Sequence, residues 1–277
     1  MKRVVIQGIK GSFHDIAAHQ YFGQGEALDM VYADTFEALF DAMNSDPALM
    51  GFAAIENTIA GSLLHNYELL LKSGVSIVGE HKLHIEHSIM CLPSDNWDTL
   101  CEVNSHPVAF MQCRNFLKLH PGLKIVEAYD TAGAAAHIAR MGLRGHAAIC
   151  HADAAGLYGL KVLENAIEDN KHNYTRFLAL SNPGQANEHR NPNLADKSSL
   201  VFTLPHTEGS LSHVLSIFNF YRINLTKIQS LPIIGNEWHY MFYVDMTYDD
   251  PKRFHQCIEA ARPLTQELKI MGEYKAF

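Results

Sequence analysis

Two kinds of hydrophobic pattern alternate along the first two thirds of the chain. Short, almost continuous apolar runs such as residues 51–57 are typical of buried strands, and apolar positions repeating every three or four residues, as over 63–73, indicate helices. Strands are predicted at 4–9, 51–57, 76–92, 123–129, 146–150 and 173–180. Helices are predicted from 12 onward and at 35–43, 63–73, 107–119, 131–142 and 152–158. This alternation predicts a mostly parallel α/β architecture with helices on both faces of the sheet.

The extended segment 76–92 is long for a single strand of such a sheet. We interpret it as a crossover between two α/β lobes, with 173–180 crossing back. The predicted lobes are approximately 1–80 with 160–181, and 81–159, which together form one domain over residues 1–181.

A polar, proline-containing and aperiodic segment follows, and we predict a linker at 182–197. Beyond it the order of elements changes to strand, helix, strand, strand, helix, strand within roughly 80 residues. That βαββαβ order is the ferredoxin-like signature. The predicted elements are 199–204, 209–221, 224–231, 238–247, 251–268 and 269–275, in a second domain over 198–277.

Composition excludes several classes of protein. A formal net charge of −8 without a basic run argues against a nucleic-acid partner. No apolar stretch approaches the ~18 residues that a membrane helix needs, and the chain enters a strand at its start rather than a signal peptide. The five cysteines are odd in number and never spaced as CxxC, which favours reduced thiols. We therefore expect a cytoplasmic protein with no membrane partner.

Seventeen histidines raise the question of a metal site. In the densest cluster, His81, His84 and His87 follow one another at intervals of three, which on a strand sends successive rings to opposite faces. The sequence has no HExxH and no Cys/His set with zinc spacing, and GIKGSF lacks the ending of a phosphate loop. We expect neither a metal nor a cofactor.

Polar residues stand where predicted strands lead into helices, and such turns line the crevice of open α/β sheets. Helix N-termini there present free N–H groups and a partial positive charge, which suits anions. The alternative is an ordinary N-cap, worth about 1 kcal/mol. The residues concerned are Ser12 with Asp15, Thr58 with Gly61 and Ser62, Ser105 before Pro107, and Thr131 after Asp130.

Further side chains are candidates for the same cleft. Ser105 and Gln112 are seven residues apart, which predicts one face of one helix. Glu56 and Asn57 close a buried strand, where a carboxylate and an amide need partners.

Strand alternation in NYTRFLAL places Tyr174 and Arg176 on one face, with Thr175 and Phe177 on the other. A threonine hydroxyl between apolar walls can donate to a leaving oxygen, and an arginine can pair with a carboxylate. These residues predict a cleft for a small, multiply anionic, partly apolar molecule.

Taken together, the motifs resemble one family, prephenate dehydratase with a C-terminal ACT regulatory domain. The resemblance covers nearly the whole chain in order: GIKGSFHDIAA (8–18), AAIENTIAGSL (53–63), NSHPVAFMQCRNFL (104–117), the block from LYGL to NYTRFLAL (157–180), and SLVFTLPHTEGSLSHVLSIF with NLTKIQSLP (199–232). It implies a two-lobed catalytic domain like that of periplasmic binding proteins, followed by a ferredoxin-like ACT domain.

The resemblance also implies a reaction, the decarboxylating dehydration of prephenate to phenylpyruvate on the route to L-phenylalanine, without metal or cofactor. Thr175 is then the catalytic residue, which hydrogen-bonds or protonates the departing ring hydroxyl. Asn57, Ser105 and Gln112 match positions that orient substrate or support that step. The predicted substrate-binding residues are Ser12, Glu56, Thr58, Gly61, Ser62, Tyr174, Arg176 and Phe177.

For the second domain the resemblance implies an amino-acid sensor that binds L-phenylalanine at a seam between copies of the chain, in a homodimer or homotetramer. Where relatives have glycine-alanine-leucine, this chain has Gly209, Ser210 and Leu211. Where they have glutamate-serine-arginine-proline, it has Gln229, Ser230, Leu231 and Pro232, which removes a carboxylate and a guanidinium together. Asn224 completes the predicted effector site.

Two other functions fit the same sequence features. A cleft between two α/β lobes is also how non-catalytic small-molecule receptors are built. Within enzymes, the nearest rival is arogenate dehydratase, whose substrate carries an amino group where prephenate carries a keto group. The chain shows no fused mutase or dehydrogenase segment, so we expect a single activity.

Overall fold

The computed structural model of the chain describes residues 1–23, 25, 27–186, 194–233 and 240–277. Residues 187–193 of the predicted linker and residues 238–239 of a predicted strand lie outside these ranges. The chain divides into two compact units. The first unit comprises Met1–Ala42, Phe52–Leu63 and His81–Phe177, and the second comprises Met43–Gly51, Leu64–Glu80 and Leu178–Phe277.

The elements follow the predicted order closely. The strands are β1 Lys2–Gln7, β2 Leu28–Ala33, β3 Met50–Asn57, β4 Gly61–Ser62, β5 Ser76–His84, β6 Ser88–Cys91, β7 Glu102–Ser105, β8 Lys124–Glu127, β9 His146–Cys150, β10 Lys161–Glu164, β11 Tyr174–Ser181, β12 Lys197–Thr203, β13 Asn224–Pro232, β14 Tyr240–Thr247 and β15 Glu267–Tyr274. The α-helices are α1 Phe13–Ala18, α2 Phe36–Ser45, α3 Leu64–Ser73, α4 Pro107–Gln112, α5 Arg114–Leu119, α6 Thr131–Met141, α7 Asp153–Tyr158, α8 Ser210–Phe220 and α9 Pro251–Ala261.

The strands form three sheets. The first has the order β2-β1-β3-β11-β5, with β4 paired to β3, and β1 and β2 run parallel. The second has the order β10-β6-β9-β7-β8, in which β7 is parallel to both β8 and β9. The third has the order β13-β14-β12-β15. The first two sheets and their helices form two α/β lobes. Strand β10 lies in the second sheet, although residues 160–181 were predicted to belong to the first lobe.

The prediction of one long strand over 76–92 is wrong. Strand β5 ends at His84 in the first sheet, and β6 begins at Ser88 in the second. The chain therefore passes between the sheets at this interruption, and it enters the second sheet antiparallel to β9, with Ile89 opposite Ile149. Strand β10, which the sequence did not predict, pairs antiparallel with β6.

One predicted helix is interrupted and another ends earlier than expected. The helix predicted over 107–119 is interrupted at Cys113, whose φ of −120° and ψ of 30° separate α4 from α5. Helix α9 ends at Ala261 rather than 268, because Pro263 lies in a short 3₁₀ turn, Arg262–Leu264, and the chain then enters β15.

The C-terminal elements have the predicted βαββαβ order. Strand β14 lies antiparallel between β13 and β12, and β12 pairs antiparallel with β15, which is the ferredoxin-like arrangement. Helices α8 and α9 contribute Phe218 and Phe254 to a core shared with Phe202 and Val244 of the sheet. Among the helices that the structure describes, none has the length and apolar character needed to cross a membrane.

Within the second unit, residues 64–80 pack closely against the C-terminal elements. The Tyr67 and Tyr243 rings meet edge to face with centroids 4.6 Å apart. The Lys197 ammonium lies 2.9 Å from both carboxylate oxygens of Glu80, with 7% and 0% of the two side chains exposed. A Cβ at Gly272 would overlap the carbonyl oxygen of Ile77, so only glycine fits there.

Candidate active site

A cavity of about 560 Å³ lies in the first unit, and both α/β lobes contribute to its wall. Its apolar lining consists of Phe13, Phe36, Ala54, Ala60, Leu63, Ile85, Val108, Ala109 and Phe177. Its polar lining consists of Gln7, Ser12, His14, Thr35, Glu37, Asn57, His87, His106, Gln112, Tyr129, Asp130, Thr131 and Thr175. Polar groups that converge beside apolar and aromatic side chains are typical of a small-molecule site.

Four helices begin at this cavity. The residues that precede α1, α2, α4 and α6 are Ser12, Thr35, His106 and Asp130, and all four line it. Each accepts a hydrogen bond from a first-turn amide: Asp15 N at 3.3 Å, Ala38 N at 3.2 Å, Val108 N at 3.2 Å and Gly133 N at 2.7 Å. The helix N-termini give the cavity a partial positive potential suited to an anion. The junctions before α1, α4 and α6 were predicted from the sequence, although at α4 the capping residue is His106 rather than Ser105, and the junction at Thr35 was not predicted.

Asn57 is held in a single orientation at the end of β3. Its Oδ1 accepts from the backbone amides of Ile59 and Ala60, both at 2.9 Å, so its Nδ2 must be the donor on the other side. That Nδ2 donates to Thr175 Oγ1 at 3.0 Å and to Asn173 Oδ1 at 2.8 Å. Because Thr175 accepts this bond, its own O–H is directed to another acceptor. Asn57 and Thr175 were each predicted in the cleft, and the hydrogen bond between them runs from Asn57 to Thr175.

Strand β11 places its residues on two faces as the alternation predicts. Thr175 and Phe177 line the cavity. Tyr174 instead packs against the His84 ring, at a centroid distance of 5.0 Å, and beneath the Lys82 ammonium at 4.1 Å. Arg176 is buried and lies outside the described lining. Of the four site residues predicted on this strand, the catalytic candidate Thr175 and the substrate-binding candidate Phe177 line the cavity, whereas the substrate-binding candidates Tyr174 and Arg176 are not among its described lining residues.

Ser105 lies elsewhere than the spacing predicted. It ends strand β7 instead of sharing a helix face with Gln112, because the helix begins only at Pro107. Its hydroxyl is fully buried and donates to the carbonyl oxygen of Ile149 at 2.6 Å. Ser105 therefore fixes β7 against the chain at the end of β9 and is absent from the described lining of the cavity.

Gln112 lines the cavity together with His87, a position that the spacing of the histidines did not predict. Gln112 Oε1 and His87 Nε2 are 2.8 Å apart. Burial lowers the pKa of His87, opposed by its bond to Gln112, so the ring is neutral at pH 7. Since a glutamine oxygen only accepts, Nε2 carries the proton of this neutral ring. The His87 amide also donates to Glu168 Oε2 at 2.8 Å, which fixes the ring's position.

The hairpin between β3 and β4 supports the site from outside the cavity. Thr58 Oγ1 donates to the His172 carbonyl at 3.1 Å and accepts from the Tyr174 amide at 2.9 Å. Gly61, with φ of +81°, turns the chain so that Glu56 pairs with Ser62. Four predicted substrate-binding residues are not among the described residues that line the cavity: Glu56, Thr58, Gly61 and Ser62. Their neighbours Ala60 and Leu63 do line it.

His14 is a partly buried base in the cavity wall. Burial lowers its pKa to about 4, its Nε2 accepts from the Ala54 amide at 3.3 Å, and its ring meets Phe177 edge to face. The neutral imidazole therefore keeps its proton on Nδ1.

This burial predicts a pH dependence of stability. Below its ordinary pKa of about 6.5, His14 takes up a proton in the unfolded chain but stays neutral in the folded protein down to about 4. The free energy of unfolding should therefore fall as the pH falls from 6.5 to 4. Melting temperatures across this range should fall less steeply for His14→Gln, which keeps an acceptor for Ala54. Equal slopes for both proteins would contradict the assignment.

No group of three or more histidine, cysteine, aspartate or glutamate side chains suited to a metal ion occurs in the described part of the chain.

A second cavity, of about 390 Å³, lies in the ferredoxin-like domain. It is lined by Leu204, Pro205, His206, Thr207, Glu208, Ser210, Leu211, Tyr240 and Phe242. Gly209, with φ of +78°, turns the chain into α8 beside it. The structure thus brings Ser210 and Leu211 of the predicted effector site to a cavity.

The remaining predicted effector residues lie on β13, outside the described lining of that cavity. Asn224 Nδ2 donates to Thr247 Oγ1 at 3.3 Å, and Gln229 Nε2 donates to the Ser230 carbonyl at 2.9 Å. Leu231 is buried, whereas Pro232 is exposed.

Comparison with known proteins decides the family. The sequence profile of prephenate dehydratase matches residues 4–185. The chain belongs to the prephenate dehydratase family. It is accordingly an enzyme of the carbon–oxygen lyase class, as the motifs predicted. Arogenate dehydratase 5 (chloroplastic) of Arabidopsis thaliana is 34% identical over 98% of the chain and 67% of its own length. The bifunctional chorismate mutase/prephenate dehydratase of Escherichia coli K12 is 30% identical over 98% of the chain and 70% of its own length.

Solved structures show the same fold over the whole chain. The prephenate dehydratase of Staphylococcus aureus superposes with a TM-score of 0.84 at 25% identity, covering 99% of this chain and all of that one. The Arthrobacter aurescens prephenate dehydratase in complex with L-Phe gives 0.84 at 24% identity, covering 99% and 90% of the two chains. A quorum-quenching acylase, GqqA, gives 0.86 at 27% identity, covering 99% and 98%. Proteins with different names therefore share this fold, so function must be argued from the site.

Proposed function

We propose that the enzyme is a decarboxylating dehydratase, which converts prephenate to phenylpyruvate, water and carbon dioxide and acts on the amino analogue arogenate by the same bond changes. The observation that carries the proposal is the hydrogen bond from Asn57 Nδ2 to Thr175 Oγ1 in a cavity to which four helix N-termini point. It supplies an oriented donor for a leaving oxygen beside a potential that favours carboxylates. Arginine and lysine are absent from the described lining, so backbone amides of α1, α2, α4 and α6 are the groups proposed to hold the anion.

In the proposed reaction, Thr175 O–H donates to the ring hydroxyl of the substrate. The ring C–O bond breaks with its electron pair remaining on oxygen, which takes up a proton and leaves as water. The bond between the ring and its carboxylate breaks at the same time, its electron pair completes the aromatic ring, and carbon dioxide departs. Net, one proton is consumed from solvent. Asn57 stabilises the charge on Thr175 Oγ as its proton moves toward the leaving oxygen.

Arogenate is the second candidate substrate, because the same bonds break and only the side chain differs. A relative named arogenate dehydratase, 34% identical, favours this candidate. Turnover of purified enzyme on each compound, followed by release of phenylpyruvate or phenylalanine, distinguishes the two. Absence of both products would reject the proposal that either compound is the substrate.

Asn57→Ala is expected to lower kcat by about one to two powers of ten, less than loss of Thr175 itself, because the Thr175 hydroxyl remains but is no longer oriented. Asn57→Asp should be similarly impaired, since a carboxylate cannot donate to Thr175 Oγ. Gln112→Ala is expected to impair turnover as well. Unchanged kcat and KM in the two Asn57 variants would remove that residue from the site.

We infer further that the ferredoxin-like domain, residues 198–277, is an ACT domain that binds L-phenylalanine and inhibits catalysis by residues 1–181, in a cytoplasmic homodimer or homotetramer. A structural relative of the same fold is described in complex with L-Phe. In this chain the proposed site combines Gly209, Ser210 and Leu211 with Asn224 and residues 229–232. The neutral side chains of Gln229 and Leu231 offer the charged amino acid fewer fixed partners.

Gly209→Val is expected to weaken inhibition by L-phenylalanine while turnover without effector stays near that of the wild type. Its φ of +78° disfavours any side chain, and a Cβ would lie 3.3 Å from His213 Cε1. Calorimetry and inhibition assays check this result. Binding unchanged by the substitution, or no binding by the wild type, would reject the site.

A further inference from the structure

The acidic side chains on the cavity wall do not suit a ligand that carries only negative charges. Two carboxylate residues, Glu37 and Asp130, line the cavity, and its described lining contains neither lysine nor arginine. Both carboxylates belong to the beginnings of helices, α2 and α6, whose N-terminal amides favour anions. A ligand that contacts both the helix amides and the carboxylates has the best charge complementarity if it carries both a negative and a positive group.

Asp130 is the better defined of the two. Its Oδ1 accepts from the Gly133 amide at 2.7 Å, so this oxygen caps α6. Its Oδ2 lies toward Gly8, 3.7 Å from where a Cβ at that residue would stand. Burial raises the pKa of Asp130, against the lowering effect of the capping amides and of His106. The carboxylate is therefore only partly compensated by its protein surroundings.

We propose that Asp130 selects between the two substrates. The Asp130 carboxylate pairs with the α-ammonium group of arogenate, so that the enzyme prefers arogenate over prephenate. The proposal rests on the dehydratase function and concerns only which side chain is accepted. Arogenate offers carboxylates to the helix N-termini and an ammonium to Asp130, whereas prephenate places a keto oxygen, an acceptor, near another acceptor. Charge-assisted hydrogen bonds between ammonium and carboxylate are about twice as strong as neutral ones, and unpaired acceptors are penalised.

The simpler interpretation is that Asp130 serves only as the N-cap of α6. Asparagine and serine cap helices about as well as aspartate, so Asp130→Asn and Asp130→Ser keep the cap and remove the charge. Asp250→Asn is a matched control, because Asp250 caps α9 of the ferredoxin-like domain by accepting from the Lys252 amide at 2.9 Å. The melting temperature of each variant shows whether the fold is retained.

The measurement is kcat/KM on arogenate and on prephenate for the wild type and the three variants. We expect a ratio above one in favour of arogenate for the wild type, a fall of tenfold or more in that ratio for Asp130→Asn and Asp130→Ser, and no change for Asp250→Asn. The fall should come mainly from a higher KM for arogenate, since the reacting bonds are untouched.

The inference is overturned if the wild type prefers prephenate, or if the kcat/KM ratio of folded Asp130→Asn stays within twofold of the wild-type ratio. The dehydratase function stands in both cases. Turnover of neither substrate would reject the function itself. In that case calorimetric titration of both compounds into the wild type and Asp130→Asn still decides: the inference requires tighter binding of arogenate that the substitution abolishes, and equal binding overturns it.

Discussion

Thr175→Ala is expected to lower kcat by about two to four powers of ten while leaving the fold intact. The substitution deletes the O–H that donates to the leaving oxygen, and it also removes the acceptor of the Asn57 Nδ2 bond. Hydroxide is a poor leaving group. Without the hydrogen-bond donor of Thr175, the C–O bond must break unassisted, and the reaction is slower. KM should change far less than kcat, because the substrate's carboxylates are proposed to be held by helix N-termini instead.

Two further variants separate the hydroxyl from the shape of the residue. Thr175→Val keeps the volume and the β-branched backbone preference but has no hydroxyl, so its kcat should match that of Thr175→Ala. Thr175→Ser restores the hydroxyl and should recover most of the lost rate. Near-normal turnover in folded Thr175→Ala, or a Thr175→Val protein as active as Thr175→Ser, would show that another group assists the departing oxygen.

Local patterns predicted the parts of the fold and site that depend on neighbouring residues. Strand alternation placed Thr175 and Phe177 on one face of β11, and the structure puts both at the cavity. The βαββαβ order likewise predicted the ferredoxin-like sheet, because each of its elements carries its own period. The helix starts at Ser12 and Thr131 were predicted from capping residues, and both lie at the cavity.

The errors arose where tertiary contacts outweigh local spacing. Seven residues separate Ser105 from Gln112, but the helical period does not apply across the strand end at Ser105. His87 was considered with two neighbouring histidines, although its partner at the cavity is Gln112, on a different element. Asp130 was named only as the residue before a helix, and its place in the cavity wall depends on how α6 lies against the sheet. No periodicity contains such information.

The ion pair of Glu80 and Lys197 is a further contact that local pattern could not predict, since 117 residues separate its members. In sequence, Lys197 stands at the end of a polar segment and would be expected to be exposed. In the structure it opens β12 in the second unit with 7% of its side chain exposed, and Glu80 is fully buried. Lys197→Met is therefore expected to destabilise the second unit by about 3–5 kcal/mol, because it removes the ammonium from a carboxylate that remains buried.

For a protein of this size, that loss corresponds to a fall of roughly 10 °C in melting temperature. Lys124→Met is the matched control: its ammonium pairs with Glu102 at 3.3 Å but is 74% exposed, so the expected change is within about 1 kcal/mol. Adding Glu80→Gln to Lys197→Met removes the buried charge and should recover part of the loss. Two results would show that this pair does not hold residues 64–80 against the C-terminal sheet. One is a Lys197→Met protein with the same melting temperature as Lys124→Met, and the other is a double variant that is less stable than Lys197→Met.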